Sequence, residues 1–244
     1  MKTLVTGARK GLGAFLAAKW QCDTLNRDTH FLHPENHEYD LIVHCAFNTR
    51  NSPADVELTE YFEDNIILTH DLLKVKSKRF VFISSIDVYP EDFEYKHEEV
   101  EIDINEVRNI YGQCKLACED MVSRHPNYLI LRCGGIIGPN KIPKSIRSAI
   151  DQSFTSLTKN STVNYVHQQT IADIIETPNI QCKTVNVVSD TPMVVEDLRE
   201  IITGLTFGIY EYHATNIITA RLKKLFPNVK IPPSKNTLLS VLGT

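Results

Sequence analysis

Leu4-Val-Thr-Gly-Ala-Arg-Lys-Gly-Leu-Gly13 is the stretch whose reading decides the fold. The β-forming run from Met1 to Thr6 stops at Gly7, and an apolar, alanine-rich segment from Leu12 to Trp20 begins where the glycines end. That pattern predicts a strand, a tight turn and a helix. Glycines at 7, 11 and 13 have a physical task if a diphosphate rests on the turn. They admit unusual φ, remove Cβ atoms where a ligand approaches, and let helix and strand pack closely. The first N–H groups of the helix, which have no partner inside it, would face the anion. A glycine-rich turn at a strand end is also often only a turn, and Thr-Gly-x-x-x-Gly-x-Gly departs from the commoner Gly-x-Gly-x-x-Gly spacing. Its place at the head of the chain and the pattern downstream favour the binding turn.

Downstream, Asp23 to Arg27 reads as a short second strand. In a dinucleotide fold the end of this strand meets the adenine ribose, where an acid would accept from the 2′-hydroxyl of NAD. Here that place carries Asn26 and Arg27, with Arg9 and Lys10 in the glycine turn nearby. Three cations around one 2′-phosphate favour NADP. A register two residues later would instead present Asp28, the NAD-type acid, and as plain surface charges the cations would say nothing. His30 to Tyr39 is polar and reads as a connecting loop. Asp40 to Phe47 and Arg79 to Ser85 are continuous apolar strands of the buried parallel kind, separated by a loop (Asn48 to Asp55) and a helix from Val56 to Val75 with Asn65 in its middle. Alternation of strand and helix with short links predicts an α/β, doubly wound parallel sheet. Glu91 to Val107 is an acidic excursion, Asn109 to Ser123 a helix, and Tyr128 to Arg132 a further core strand. Beyond Asn140 the composition changes, with a late strand at Thr184 to Val188 and a helix at Val195 to Ile202. The expected division is a dinucleotide-binding domain over 1–140 and a smaller substrate-binding region over 141–244, interleaved with the end of the main sheet.

With 244 residues and 42% hydrophobic content, the chain can bury a substantial core. A net charge of −4 offers no basic footprint for nucleic acid. No run approaches the ~20 apolar residues of a membrane span, and the first residues enter a strand with no signal-peptide pattern. The expectation is a complete, cytoplasmic chain without a membrane partner. Six scattered cysteines without a Cys-x-x-Cys pair are expected to be free, mostly buried thiols, and no metal is expected.

Three groups fall at strand or helix ends that converge in such a fold. Ser85 ends a buried strand, while Tyr111 and Lys115 lie four apart and so share one helix face. A tyrosine beside an ammonium and a nicotinamide cation has its phenolate favoured. It can pass a proton to or from a carbinol oxygen while a serine hydroxyl holds that oxygen.

With these residues in order, the chain resembles the extended branch of the short-chain dehydrogenase/reductase superfamily, the nucleotide-sugar epimerases, dehydratases and reductases. The likeness is carried by Thr6-Gly7-x-x-x-Gly11-x-Gly13, His44 with Ala46, Asn65, Ser84-Ser85 in Ile-Ser-Ser-Ile-Asp-Val-Tyr-Pro, Tyr111-x-x-x-Lys115, Leu129-Ile-Leu-Arg132, Tyr165-Val-His167 leading to Ala172-Asp173, and Val185-Asn186-Val187. The resemblance implies a Rossmann-type sheet with a small C-terminal substrate-binding cap. In it Ser85 positions the substrate oxygen, Tyr111 is the acid/base, and Lys115 lowers the tyrosine pKa and contacts the nicotinamide ribose. Asn65 would support the lysine through a water. NADP, or alternatively NAD, would lie on Gly7, Arg9, Lys10, Gly11, Leu12, Gly13, Asn26, Arg27, Ala46, Asn65 and Ser84 together with Tyr111 and Lys115. Asp87, Gly135 and His167 are substrate candidates, although Asp87 equally reads as a cap on the turn after its strand and His167 as a polar anchor of a hinge. A nucleotide-sugar substrate and a homodimer complete what the likeness implies. There are departures. The glycine spacing follows single-domain members, Ile86 stands where 4,6-dehydratases place an aspartate, and Gly135 stands where many epimerases have an asparagine. The favoured reading is a 4-keto sugar reductase, with an NAD-dependent 4-epimerase and a non-catalytic dinucleotide-binding regulator as alternatives.

Overall fold

In the computed structural model the residues described are 1–26, 37–49, 58–91, 94–139 and 141–243. Six strands form one sheet: β1 (Thr3–Thr6), β2 (Asp23–Leu25), β3 (Glu38–His44), β4 (Lys76–Ser85), β5 (Tyr128–Cys133) and β6 (Lys183–Val187). Their spatial order is β6-β5-β4-β3-β1-β2, and β1 pairs in parallel with both β2 and β3, as β3 does with β4. Central strands buried on both faces must be apolar throughout, which is why β1 and the second half of β4 read as unbroken runs. The chain leaves β1 towards β2 on one side and returns to β3 on the other. The crevice between the carboxyl ends of β1 and β3 is therefore the point where the winding direction reverses, the place where such sheets take ligands.

Three helices matter for the site. α1 is Gly11–Trp20. α2 runs in three pieces, Leu58–Phe62, a wider π-helical turn Glu63–Ile67 and Leu68–Leu73, with Asn65 at the centre of the wide turn. α3 is Ile110–Ser123, capped by Asn109, whose side chain accepts from the Gly112 N–H. Leu4, Ile42, Phe80, Phe82, Cys118 and Ile130 meet in the core between sheet and helices. The second strand ends at Leu25, two residues short of the expected Arg27.

Met1–Phe93, Glu98–Arg132 and Thr177–Val185 form one unit; Glu94–His97, Cys133–Glu176 and Asn186–Thr244 form the other. The second unit has its own core, with Ile137, Ile146, Tyr165, Leu198 and Leu238 buried together. Its secondary structure includes three two-stranded pairs: Gly135–Ile137 with Tyr165–His167, Phe154–Leu157 with Thr206–Tyr210, and Thr162–Val163 with Met193–Val194. Strands so short offer little alternation to detect in the sequence. The segment Val195–Glu200 is a 3₁₀ helix. Six cysteines are free; Cys114, Cys118 and Cys133 are buried, whereas Cys182 is exposed. Among the described residues no helix is long and apolar enough to cross a membrane.

One ionic group ties β4, β5 and α3 together. Arg132, at the end of β5, holds the Glu119 carboxylate of α3 through Nε at 3.0 Å and Nη2 at 2.7 Å, and both side chains are almost fully buried. Its Nη1 donates to the Tyr89 hydroxyl at 2.9 Å, and Ser84 of β4 donates to Glu119 Oε1 at 2.5 Å. Removing one partner of such a pair strands a buried charge, whereas replacing both by apolar groups does not. Glu119→Leu is expected to cost about 3–5 kcal/mol in urea unfolding, and Glu119→Leu with Arg132→Leu less than the single change. Equal losses would show that the pair does not act as a unit.

Candidate active site

The glycine turn is built by contact with its own chain. Gly7 has φ 70° and Gly11 φ 63°, the left-handed region that favours glycine. A Cβ on Gly7 would lie 2.8 Å from Ala46 Cα, and one on Gly13 2.4 Å from the Gly7 carbonyl oxygen. α1 begins without a side-chain cap: Lys10 stands extended at the cap position, and the first turn carries no acid. Its opening N–H groups are thus left for an anion, and the turn fits a dinucleotide diphosphate. The Gly7 N–H donates to the Leu25 carbonyl at 3.0 Å, which brings half-buried Asn26 beside the turn. Arg9 and Lys10 are exposed, while Arg27 lies outside the described residues. The Leu12 side chain is buried, so what Leu12 offers a ligand is its backbone.

Behind the turn runs a chain of hydrogen bonds whose direction can be deduced. Thr69 donates to the Asn65 carbonyl at 2.6 Å, so its oxygen accepts from His44 Nε2–H at 2.9 Å. His44 Nδ1 is then the acceptor, taking the Thr6 hydroxyl proton at 2.8 Å. Thr6 Oγ1 in turn accepts from the Cys45 N–H at 3.1 Å and the Ala46 N–H at 2.9 Å. Complete burial, and secondarily the Lys115 charge, push the His44 pKa from 6.5 down to about 3, so this imidazole is neutral at working pH. The Asn65 amide takes the Asn48 N–H at 2.7 Å and donates to the Asn48 carbonyl at 3.3 Å. The structure therefore places Asn65 on the Asn48 backbone, with both ends of its amide engaged there.

Ser85 ends β4 and its Oγ accepts from the Asp87 N–H at 3.1 Å, leaving the hydroxyl proton to donate elsewhere. Asp87 is half-buried, and here the serine caps the turn. Ser84, proposed for the cofactor, directs its hydroxyl at Glu119 instead. On α3, Tyr111 is half-buried and Lys115 only 3% exposed. The Lys115 Nζ donates to the Ile83 carbonyl at 2.6 Å and lies 5.7 Å from the centre of the Tyr111 ring. Ile83 precedes Ser85 by two residues, so this bond fastens the helix of the phenol to the strand of the alcohol. Two residues that the sequence reading passed over complete the setting. Gly112 lets α3 touch the turn after β4, since a Cβ there would stand 2.2 Å from the Asp87 carbonyl oxygen. Phe47 covers Lys115 with its ring centre 3.5 Å from Nζ and meets the Tyr111 ring edge-on at 5.5 Å. A glycine in the first turn beside the tyrosine was the available signal for the former; nothing local announced the latter.

Gly135 and His167 belong to the second unit, on neighbouring paired strands. The Gly135 N–H donates to the Asn164 carbonyl at 2.7 Å, and His167 Nδ1 accepts from the Gln169 N–H at 3.1 Å. Burial lowers the His167 pKa, partly offset by Asp173. Among the described residues no His, Cys, Asp and Glu cluster could hold a metal ion.

Such a switch-point crevice, glycine turn and Ser, Tyr and Lys set define a dinucleotide-binding protein of the doubly wound class. The model of the NAD-dependent epimerase/dehydratase family matches residues 4–172, and the chain belongs to that family. It is 35% identical over 89 residues to the UDP-glucose 4-epimerase of Halalkalibacterium halodurans, covering 35% of this chain and 26% of that protein. The chain spans under a third of the length of the curated relatives it matches, 26% and 30% in the two cases. Among solved structures it is similar to MoeE5 in complex with UDP-glucuronic acid and NAD, with TM-score 0.80 at 16% identity over 99% of this chain and 97% of that one. It is also similar to RMD from Pseudomonas aeruginosa complexed with NADPH, with TM-score 0.76 at 19% identity over 100% and 99%. These two likenesses concern the fold.

The neutral imidazole has a consequence for stability. The unfolded chain takes up a proton at His44 near the ordinary 6.5, the folded protein only near 3, so stability is complete above that ordinary value and lost as pH falls towards the folded one. Between pH 7 and pH 5 the wild type is expected to lose about 2 kcal/mol more than His44→Gln in urea unfolding. Parallel losses would place the charge sensitivity elsewhere.

Proposed function

We propose that the chain is an NAD(P)-dependent oxidoreductase of a nucleotide-linked sugar and that its reaction is NADPH-dependent reduction of a 4-keto group. The observation that carries this reading is the Lys115 bond to the Ile83 carbonyl, which holds Tyr111 and Lys115 of α3 against the strand end bearing Ser85. The diphosphate would rest on the glycine turn and the opening N–H groups of α1, and the nicotinamide ribose would reach Lys115. When bound, the cofactor supplies the hydride. Tyr111 delivers the proton to the oxygen of the keto group, and the Ser85 hydroxyl, its lone pair already engaged by Asp87 N–H, donates to the same oxygen. Arg9 and Lys10 are exposed in the turn and, with Arg27, would take the 2′-phosphate of NADP.

A second reading, the NAD-dependent 4-epimerase, is favoured by the named relative from Halalkalibacterium halodurans. An epimerase returns its hydride to the substrate and consumes no cofactor, so net NADPH oxidation separates the two. Asp87, Gly135 and His167 stay the proposed substrate contacts, and the same reading makes the protein a cytoplasmic homodimer.

Incubation with UDP- and dTDP-linked 4-keto sugars is expected to oxidise NADPH. Tyr111→Phe should lower kcat by about 100-fold or more while dinucleotide affinity stays within about twofold. Undiminished turnover would remove the acid/base assignment. Arg27→Ala is expected to weaken NADP about tenfold and leave NAD unchanged, as loss of one charge-assisted contact does; equal affinities before and after would remove the NADP preference.

A further inference from the structure

We infer that Phe47 is a movable cover over the Lys115 ammonium, and that a dinucleotide reaches this lysine only by turning the ring aside. The inference rests on the cofactor reading above for its ligand, but not for the cover itself.

Lys115 as a whole is only 3% exposed. Aromatic faces lie over its ammonium at 3.5 Å for Phe47, 4.6 Å for Phe82 and 5.7 Å for Tyr111, measured to ring centres, and the Ile83 carbonyl accepts from it at 2.6 Å. A ribose hydroxyl needs a heavy-atom approach of about 3 Å to bond it, and a ring centre at 3.5 Å already fills that shell on its side. One wall must yield. Ile83 and Phe82 belong to β4, and Phe82 is fully buried against Ile42 and Phe80 in the core. Tyr111 has to stay where it transfers the proton. Phe47 alone among the rings stands on a connecting segment, half-buried, past the end of β3.

Its backbone is held on both sides. Ala46 N–H is fixed to Thr6 Oγ1 at 2.9 Å, and Asn48 is clamped at its N–H and carbonyl by the Asn65 amide. The motion available is therefore rotation of the side chain about its own bonds, without excursion of the loop. In the closed position the ring gives the buried cation a π face, an attraction that a bound ribose must replace. Binding and covering compete for one ammonium, so weakening the cover strengthens binding.

The test combines Lys115 acetylation by acetic anhydride, read by mass spectrometry on the ligand-free protein, with NADP⁺ and NAD⁺ titration of the same samples. Phe47→Ala is expected to speed Lys115 acetylation at least several-fold and to tighten dinucleotide binding about tenfold, the size of one lost cation–π contact. Phe47→Trp, with a larger and more attractive face, should slow acetylation and weaken binding, and it serves should the alanine variant fail to fold. Acetylation unchanged in the variants overturns the cover. Faster acetylation with unchanged or weaker dinucleotide binding in Phe47→Ala overturns the competition. If no form binds either dinucleotide while Lys115 acetylation still rises in Phe47→Ala, the cofactor reading fails and the cover stands.

Discussion

A buried ammonium sets the terms for the chemistry-bearing half of this protein. Taking Lys115 out of water is costly unless polar or polarisable groups replace the solvent. The fold meets the cost with the Ile83 carbonyl and a surround of aromatic faces. That solution has reach. The same charge, added to complete burial, makes protonation of His44 still less favourable. A neutral His44 has one donor and one acceptor, and because Thr69 already donates to Asn65 the imidazole must donate to Thr69 and accept from Thr6. Thr6 is then turned to receive the N–H groups of Cys45 and Ala46, which draws the end of β3 against the end of β1. Gly7 is required there because Ala46 is so close. The glycine turn thus rests on an ordered line of hydrogen bonds whose imidazole feels the Lys115 charge.

A second buried group acts one turn further along the same face of α3. Glu119 lies one turn beyond Lys115, and with Arg132, Tyr89 and Ser84 it fixes the helix to β4 and β5. Lys115 bonds the backbone of β4 at Ile83, and Gly112 lets the start of α3 meet the turn after the strand. Three fastenings along one helix leave it little freedom to slide. A helix so fixed holds Tyr111 and Lys115 at a set distance from the end of β4.

What could be read from the residues was what the chain encodes locally. Tyr111 and Lys115 share a face because a helix repeats every 3.6 residues, and Gly7 marks the end of β1 because only glycine accepts its backbone there. The buried strands announced themselves by unbroken apolar runs. The misses have a common cause in tertiary packing. β2 stops at Leu25, whose carbonyl takes the Gly7 N–H, a contact that propensity cannot see. The wide turn at Glu63–Ile67 leaves no mark in the hydrophobic spacing. The side chains of Ser84 and Asn65 turn to Glu119 and Asn48, partners distant in sequence that no local pattern announces. Phe47 read as the last residue of an apolar strand, whereas β3 ends at His44 and the ring is free to lie over Lys115.

The division into two units bears on what kind of change each half tolerates. Ser85, Tyr111, Lys115, the glycine turn and both proton and ion networks lie in the unit formed by Met1–Phe93, Glu98–Arg132 and Thr177–Val185. Its core residues and those of the second unit form separate clusters. Substitutions inside the first cluster disturb groups whose positions are fixed by one another, through bonds that fail together. The second unit packs its three short strand pairs on one shared cluster, with Ile137, Leu157, Val163, Tyr165 and Met193 buried together, so a change in one pair is felt by the others.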